Sequence, residues 1–367
     1  MDRRIMIGGL LAFLMLMLAG CNDQKVIEDL AIISMMSFDQ TDEPAGDLKI
    51  TASFPNLTSE TSNEEQIIET IANSKKEAED LLSSKTRQQV VNGQIHSVIL
   101  GEQFARDGVK SVINSMERDQ EIGSQVKVVV ADQEGSEIIR TKVVPDIGSY
   151  IDKMLKTESD KFTIPETDIY HFSRDYYDDG IDPVAPLFSK QDGRIVLIGT
   201  ALFQKDRYVD HLDLTQSKIF MLLLKKVERS ELTIKMAQEE KIRNVHFDYV
   251  TSHRKVKVYK KAGKIDHITI RVKMRGSVLE DTGKEGISST NEIRRLENLV
   301  GRHIQGKAEE IIEILKENQT DSLGLGQYIR QSLSYEEWTA LDKERLIETV
   351  PVSVEIDVTI KDTGMSQ

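Results

Sequence analysis

Cysteine is almost absent from this chain, whose 367 residues include one, Cys21. A single cysteine allows neither an intrachain disulfide nor a structural zinc site built from thiolates, so core packing has to hold the fold. Positive charge is also in deficit. With 48 Lys and Arg against 61 Asp and Glu, the formal net charge is −13, which argues against nucleic acid as a partner and against strong attraction to anionic headgroups. Catalytic signatures are missing as well. The seven histidines, His96, His171, His211, His246, His253, His267 and His303, show no His-Glu-x-x-His or comparable ligand spacing, and there is no Gly-x-Ser-x-Gly elbow. A carboxylate pair is expected by number alone among 61 acidic residues, so no catalytic residue, metal or cofactor is assigned. Long proline or glycine tracts are absent too, and 39% hydrophobic with 30% charged residues describes a folded body and not a disordered stalk.

The most specific feature present is the amino-terminal stretch. Arg3 and Arg4 precede an uncharged run from Ile5 to Leu18, and Leu18-Ala19-Gly20-Cys21 follows. These are the three parts of an export signal, and fourteen apolar residues fall short of the roughly 20 a spanning helix needs. The tetrad Leu18, Ala19, Gly20, Cys21 has the pattern at which bacteria attach diacylglycerol to the cysteine thiol and cut before it. The expected mature chain therefore begins at a lipidated Cys21, with its new amino group open to a further acyl chain. Removing residues 1–20, which carry Asp2, Arg3 and Arg4, leaves one more unit of negative charge, −14. Membrane attachment then comes from lipid, and two acyl chains hold where one is marginal.

The rest of the chain predicts a fold of class α+β, at about 150 residues per domain enough for two or three domains. Leu30 to Met36 and Leu48 to Phe54 read as strands of a hairpin, and Ser74 with Glu77 has capping-box spacing for a helix carrying Ala78, Leu81 and Leu82. Val98 to Leu100 leads through Gly101 into a helix with Phe104, Ala105, Val109, Val112, Ile113 and Met116 on one face, and Val126 to Ala131 is a buried strand. Between Lys142 and Lys190 the periodicity weakens and Pro145, Pro165, Pro183 and Pro186 accumulate, which predicts a linker there. Arg194 to Phe203 is a strand and Leu214 to Leu224 a helix. Val256 and Val258 then alternate with Lys255 and Lys257, and after a turn at Ala262-Gly263, Ile268, Ile270, Val272 and Met274 alternate with Thr269, Arg271 and Lys273. The apolar stripe Ile293, Leu296, Val300, Ile304, Ile311 and Leu315 marks a long helix over Glu292 to Asn318. The alternation from Val352 to Ile360 marks a last strand. The expected organisation is a signal over 1–20, an α/β domain over 21–190, a small middle domain over 191–244, and a domain over 245–367 with a long helix on an antiparallel sheet.

Three constellations invite a chemical reading. Asp175, Asp179 and Gly180 match the first, fifth and sixth places of a calcium loop, but Tyr177 occupies a ligand position and Pro186 stands where a bidentate Glu is required, so a solvated acidic loop is expected. Gly324-Leu325-Gly326 lacks the Lys-Ser/Thr of a P-loop and reads as a tight turn starting a helix at Gln327-Tyr328-Ile329. The basic row Lys255, Lys257, Arg271 and Lys273 is a candidate partner-facing sheet surface on a net-acidic protein, beside the plainer reading of solvated strand residues.

In its order of short motifs the chain resembles the Ger(x)C family, the lipoprotein C subunit of nutrient germinant receptors in spore-forming bacteria. The residues that carry this are Cys21 with Ile27-Glu28-Asp29-Leu30-Ala31 and Asp39, Ile99-Leu100-Gly101-Glu102 with Ala105-Arg106, and Arg118-Asp119-Gln120-Glu121-Ile122. Pro186-Leu187, Gly199-Thr200-Ala201-Leu202-Phe203, Asp321-Ser322-Leu323-Gly324-Leu325-Gly326, Trp338 and Thr363-Gly364 complete the set. Asn22 stands where the family usually has Trp, Ser322 where Pro is usual, and Asp210-His211 where Gly and an aromatic residue often occur. The resemblance implies three α/β-type domains with distorted mixed sheets, no known catalysis, and a place on the outer face of the spore inner membrane. There the protein would assemble with two multispanning receptor subunits, A and B, that respond to nutrients. A lipid-anchored solute-binding protein that delivers a nutrient to a transporter is the alternative.

Overall fold

Residues that are apolar at every position, and so bury both faces of a strand, build the centre of the first sheet. The computed structural model describes residues 30–43, 47–55, 65–238, 241–283, 289–343 and 345–363; Leu18, Ala19, Gly20 and Cys21 lie outside them. In chain order the first part runs β1 (Leu30–Ile32), β2 (Met35–Gln40), β3 (Leu48–Phe54), β4 (Gln66–Ala72), α1 (Lys75–Ser84), β5 (Gln89–Val91) and β6 (Ser97–Leu100). It continues with α2 (Glu102–Asp107), α3 (Lys110–Arg118), β7 (Lys127–Ala131), α4 (Gly135–Ile139), α5 (Ile147–Asp160), α6 (Ile169–Tyr177), β8 (Val184–Gln191), β9 (Arg194–Gln204) and β10 (Arg207–Asp213).

Eight of these strands form one sheet in the order β10-β9-β8-β7-β6-β2-β3-β4. The middle four, β8, β7, β6 and β2, are mutually parallel, and antiparallel hairpins extend the sheet on either side. Alternation assigns each side chain to a layer. Val98, Leu100, Val128 and Val130 pack with Leu82, Val112, Ile113, Met116 and Phe172 from α1, α3 and α6, whereas Ile99, Val129 and Ala131 pack with Ile138, Ile151 and Leu155 from α4 and α5. β1 and β5 form a separate parallel pair at the start of β2. The expected first strand is interrupted at Ile33 and Ser34, and the expected helix with Phe104 and Met116 is split into α2 and α3 where Gly108 takes a φ of 125°.

The remaining elements are α7 (Leu214–Leu224), β11 (Val227–Gln238), β12 (Lys241–Lys261), β13 (Lys264–Asp281), α8 (Thr290–Glu317), α9 (Leu325–Ser332), α10 (Tyr335–Thr339), α11 (Leu346–Thr349) and β14 (Val352–Thr363). The second sheet is ordered β11-β12-β13-β14. Its first three strands are antiparallel, and β14 joins β13 in parallel after the long connection through α8. The turn between β12 and β13 has positive φ at both Ala262 (50°) and Gly263 (77°), as a two-residue hairpin demands. Ser289 and Glu292 form a reciprocal cap on α8, which buries Leu296, Val300, Ile304, Ala308, Ile311, Ile312 and Leu315 against this sheet. At about 1.5–3 kcal/mol for each fully buried branched side chain, this stripe is the main reason the sheet has a covered face.

The stretch expected as a linker is instead structured. Residues 147–160, 169–177 and 184–191 are α5, α6 and β8. Pro145 precedes Asp146, the N-cap of α5, and Pro183 precedes β8. Pro186 lies just before Leu187 and Phe188, the two β8 residues that pair with β7. Nor do residues 191–244 form a unit of their own. Asp192 and Gly193 make a hairpin turn with φ of 50° and 73°, so β9 and β10 continue the first sheet while β11 belongs to the second.

Candidate functional site

Both sheets converge on two loops, residues 178–182 after α6 and residues 318–324 between α8 and α9. Asp321 is the central side chain. Its Oδ1 accepts the amide of Leu325 at 2.8 Å and its Oδ2 the amide of Gly326 at 2.6 Å, which caps α9. Gly324 makes this tight return possible by taking a left-handed φ of 66°. The turn expected at Gly324-Leu325-Gly326 is therefore present, and the carboxylate that organises it precedes the glycines by three residues.

Asp182 links the two loops. Its amide donates to the Asp321 carbonyl at 3.1 Å, its Oδ2 accepts the Asp321 amide at 2.8 Å, and its Oδ1 accepts the Lys205 amide at 2.9 Å. Thr320 donates to the Phe203 carbonyl at 2.5 Å. Gly180 and Gly326 lie against each other, and the Gln327 amide donates to the Gly180 carbonyl at 3.1 Å. A Cβ on Gly180 would stand 2.6 Å from the Gln327 nitrogen, and one on Gly326 would stand 2.8 Å from the Gly180 Cα. Only glycine at both positions lets the backbones come this close.

Charge completes the joint. Arg330 grips Asp178 through two bonds of 2.9 and 3.0 Å, and Lys343 reaches Asp179 at 2.5 Å. The half-buried Arg254 donates to the carbonyls of Leu224 and Leu323 at 2.7 and 3.0 Å and lies over the Tyr328 ring. Burial pushes the Asp321 carboxyl up to about 7, aided by the nearby Asp182 and opposed by the Gly326 and Leu325 amides and by Arg254. Burial likewise raises Asp182 against its two amide donors. At Asp178 burial acts upward too, but Arg330 and the Gly180 amide outweigh it and hold the carboxyl below its ordinary value.

The acidic loop that could be mistaken for a calcium site is thus an ion-pairing segment. Asp175 binds Arg174, Asp178 binds Arg330 and Asp179 binds Lys343, and among the described residues no cluster of three or more His, Cys, Asp or Glu is arranged to hold a metal. Beside the joint lies a cavity of about 390 Å³ whose lining includes Asp182, Lys205, Arg207, Asp321 and Lys343. A second one, of about 480 Å³, lies at the carboxyl ends of β2, β6 and β7, between Asp39, Asp42, Gly101, Glu102 and Glu134. Asp39 is buried there, and its oxygens accept the amides of Gly135 and Ser136 at 2.6 and 3.0 Å. The sequence signal that could have found the joint is the pairing of two short glycine-aspartate stretches about 140 residues apart, with Asp182 and Asp321 separated by 139. Nothing in either stretch alone states that they meet.

The basic row is brought together as expected. Lys255, Lys257, Arg271 and Lys273 all lie exposed on the face of the second sheet opposite α8, with Lys255 beside Arg271 in register. β14 adds acid to this face. Arg271 bonds to Glu355 at 2.6 Å, and Lys273 stands opposite Asp357. Lys257 lies over the Tyr259 ring at 4.5 Å. The face is a charged ladder, positive on β12 and β13 and negative on β14.

Comparison with known proteins follows the same division. Residues 23–190 match the model of the spore germination protein N-terminal domain, and residues 198–364 match the model described as spore germination B3/GerAC like, C-terminal. The spore germination protein GerQC of Bacillus cereus is 22% identical over 362 residues, covering 98% of this chain and 99% of that protein. YfkR of Bacillus subtilis (strain 168) is 21% identical over 304 residues, covering 79% and 77%. The crystal structure of the GerBC protein superposes with a TM-score of 0.60 at 17% identity, covering 89% of this chain and 96% of that one. That similarity speaks for the fold.

Proposed function

Because the chain belongs to the GerAC-like family of spore germination proteins, matched over 23–190 and 198–364, we propose that it is the noncatalytic, lipid-anchored subunit of a nutrient germinant receptor. The observation that carries this reading is the match to both family regions, which leaves only seven residues between them. The Leu18-Ala19-Gly20-Cys21 tetrad supports the anchor. No helix among the described residues is long and apolar enough to cross a membrane, so in this reading a diacylglyceryl group on Cys21, with N-acylation of the new terminus, holds the body on the outer face of the spore inner membrane. Its partners are the two membrane-embedded receptor subunits. The charged ladder of Lys255, Lys257, Arg271 and Lys273 with Glu355 and Asp357 supplies a surface suited to a partner with its own mixed charges.

The joint supports a role in transmission. The paired loops tie the first sheet to the second through backbone contacts and opposed charges, so a displacement imposed on one is passed to the other. The test is Cys21→Ala in spores whose cognate nutrient is known. The variant should leave the membrane fraction, and germination with that nutrient should be impaired while the protein remains folded. Normal germination with the variant soluble would refute the anchored reading.

A further inference from the structure

A net charge of −13 hides a local exception. Between His253 and Ile265, along the far half of β12, the turn and the start of β13, stand Arg254, Lys255, Lys257, Lys260, Lys261 and Lys264, and no Asp or Glu. The flanking strands stop short of this arm. β11 pairs with β12 no further than Ser252, and β14 pairs with β13 only from Ile268. At about 3.4 Å per residue, the steps from Ile268 to Gly263 carry the turn roughly 17 Å past that end of β14.

Two of these cations serve the fold. Arg254 donates to the carbonyls of Leu224 and Leu323, and Lys260 donates to the Ser332 carbonyl and lies beside Glu337. The others, Lys255, Lys257, Lys261 and Lys264, are exposed, and among the described residues none of them forms an ion pair. Lys257 lies over the Tyr259 ring, which stacks on His267 at 4.4 Å. The neighbouring acids are engaged, Asp266 with His267 and Glu355 with Arg271. Lys261 stands directly opposite Lys264, and Lys255 opposite Arg271. Like charges so placed work against strand pairing. The fold gains nothing from this arrangement, whereas an anionic surface would relieve it.

Lysine is a mobile point charge on a flexible stem, without the rigid fork by which arginine fixes one carboxylate. Such groups around an aromatic ring suit a fluid layer of anionic headgroups better than a protein face with set positions, and tyrosine is itself favoured at the boundary of lipid and water. We propose that the β12–β13 arm, through Lys255, Lys257, Lys261 and Lys264, binds the headgroups of an anionic lipid bilayer. The proposal rests on the anchored reading for a bilayer within reach, and adds an electrostatic contact to the acyl one. Repulsion between the acidic body and the headgroups is screened beyond about 10 Å at 0.1 M salt, a shorter length than the projection of the turn. Each of the four lysines then strengthens binding by about fivefold. This leaves Arg271 and Lys273, beside Glu355 and Asp357, for the protein partner.

The test is flotation of the mature chain, residues 21–367 with Cys21→Ser and so without an acyl chain, on vesicles of phosphatidylglycerol and phosphatidylcholine. The chain should float with these at about 0.1 M salt and not with phosphatidylcholine alone. Lys255→Gln, Lys257→Gln, Lys261→Gln and Lys264→Gln together should weaken vesicle affinity by about a hundredfold or more, with an unchanged urea midpoint to show that the variant is folded. The same loss of charge elsewhere on the surface, at Lys142, Lys153, Lys156 and Lys235, should leave affinity nearly as it was. Absence of flotation, flotation that does not need phosphatidylglycerol, or equal affinity of the two variants would overturn the arm as a lipid contact. An acidic protein lost from the arm variant while flotation persists would assign the arm to that partner instead. The anchor is read separately, from flotation of the chain lipidated at Cys21 on phosphatidylcholine, and its failure there would refute the anchored reading whatever the arm does.

Discussion

Replacing Gly180 with Ala sets a methyl group against atoms that cannot turn aside. The added Cβ would lie 2.6 Å from the Gln327 nitrogen and 2.8 Å from the Gly326 carbonyl carbon, both backbone atoms at the start of α9. No rotamer change relieves such a contact, so the loops must separate. Separation breaks the Gln327 to Gly180 bond of 3.1 Å and stretches the reciprocal Asp182 and Asp321 bonds of 3.1 and 2.8 Å. At about 1 kcal/mol for each bond and about 1–3 kcal/mol for overpacking, Gly180→Ala should cost about 3–5 kcal/mol. A urea slope of about 3 kcal/mol per molar, the upper end for small proteins, turns this into a midpoint lower by about 1 M or more. Urea titration followed by the fluorescence of Trp338 reads the joint directly, because that ring lies 6.0 Å from the Arg330 guanidinium and 5.5 Å from the Lys343 ammonium. Gly306→Ala is the control. Gly306 lies within α8, and a Cβ added there would meet no atom within 4 Å, so alanine at this position should stabilise the helix by about 0.5–1 kcal/mol. A Gly180→Ala midpoint equal to that of the unsubstituted chain would refute the backbone-contact argument.

Two further outcomes concern charge. Asp321 has a carboxyl raised to about 7 in the fold from 3.8, so between about pH 4 and 7 the native state holds a proton that the unfolded chain releases; its contribution is fully present below about pH 4 and is lost as pH rises through about 7, at up to roughly 1.4 kcal/mol per pH unit. Urea midpoints at pH 5 and pH 8 should therefore fall less with pH in Asp321→Asn than in the unsubstituted chain, and identical slopes would refute the assignment. The double charge reversal Arg271→Glu with Lys273→Glu changes exposed groups, so the chain should remain folded. It should nonetheless abolish co-purification with the proposed membrane-embedded partner subunits from detergent-solubilised spores, and undiminished co-purification would remove this face as the proposed partner surface.

Elements with a strong internal period were legible from the residues alone. The stripe from Ile293 to Leu315 predicts α8 within two residues of its ends, and the alternation around Val352 and Val258 predicts β14 and the β12–β13 hairpin. Leu48 to Phe54 and Leu214 to Leu224 match β3 and α7 end to end. Where the reading failed, local chemistry pointed the wrong way. Four prolines between residues 142 and 190 read as a linker, although Pro145 and Pro183 stand just before a helix cap and a strand, where a missing amide costs little, and Pro186 lies within β8. The joint was legible only in halves. Asp178, Asp179 and Gly180 read as a solvated loop, and Asp321 to Gly326 as a turn, because what gives each its partner is the other, far along the chain. The basic row, in contrast, follows from alternation alone, but its neutralisation by Glu355 and Asp357 depends on a parallel pairing that no local period encodes.

That parallel pairing has a consequence for how the protein is made. The contact between Arg271 and Glu355 spans 84 residues, and β14 is drawn from the last described residues of the chain. A polypeptide that leaves the ribosome amino end first has β11, β12, β13 and α8 in hand while β13 still presents an open edge. Such an edge is a template for pairing with another chain. The twelve residues of β14 thus act as a clasp that shuts this edge of the sheet only after Val352 to Thr363 have been made. A chain stopped at Pro351 would carry Ile268, Ile270, Val272 and Met274 on a strand open to its neighbours, so premature termination should yield aggregates instead of a shortened folded chain.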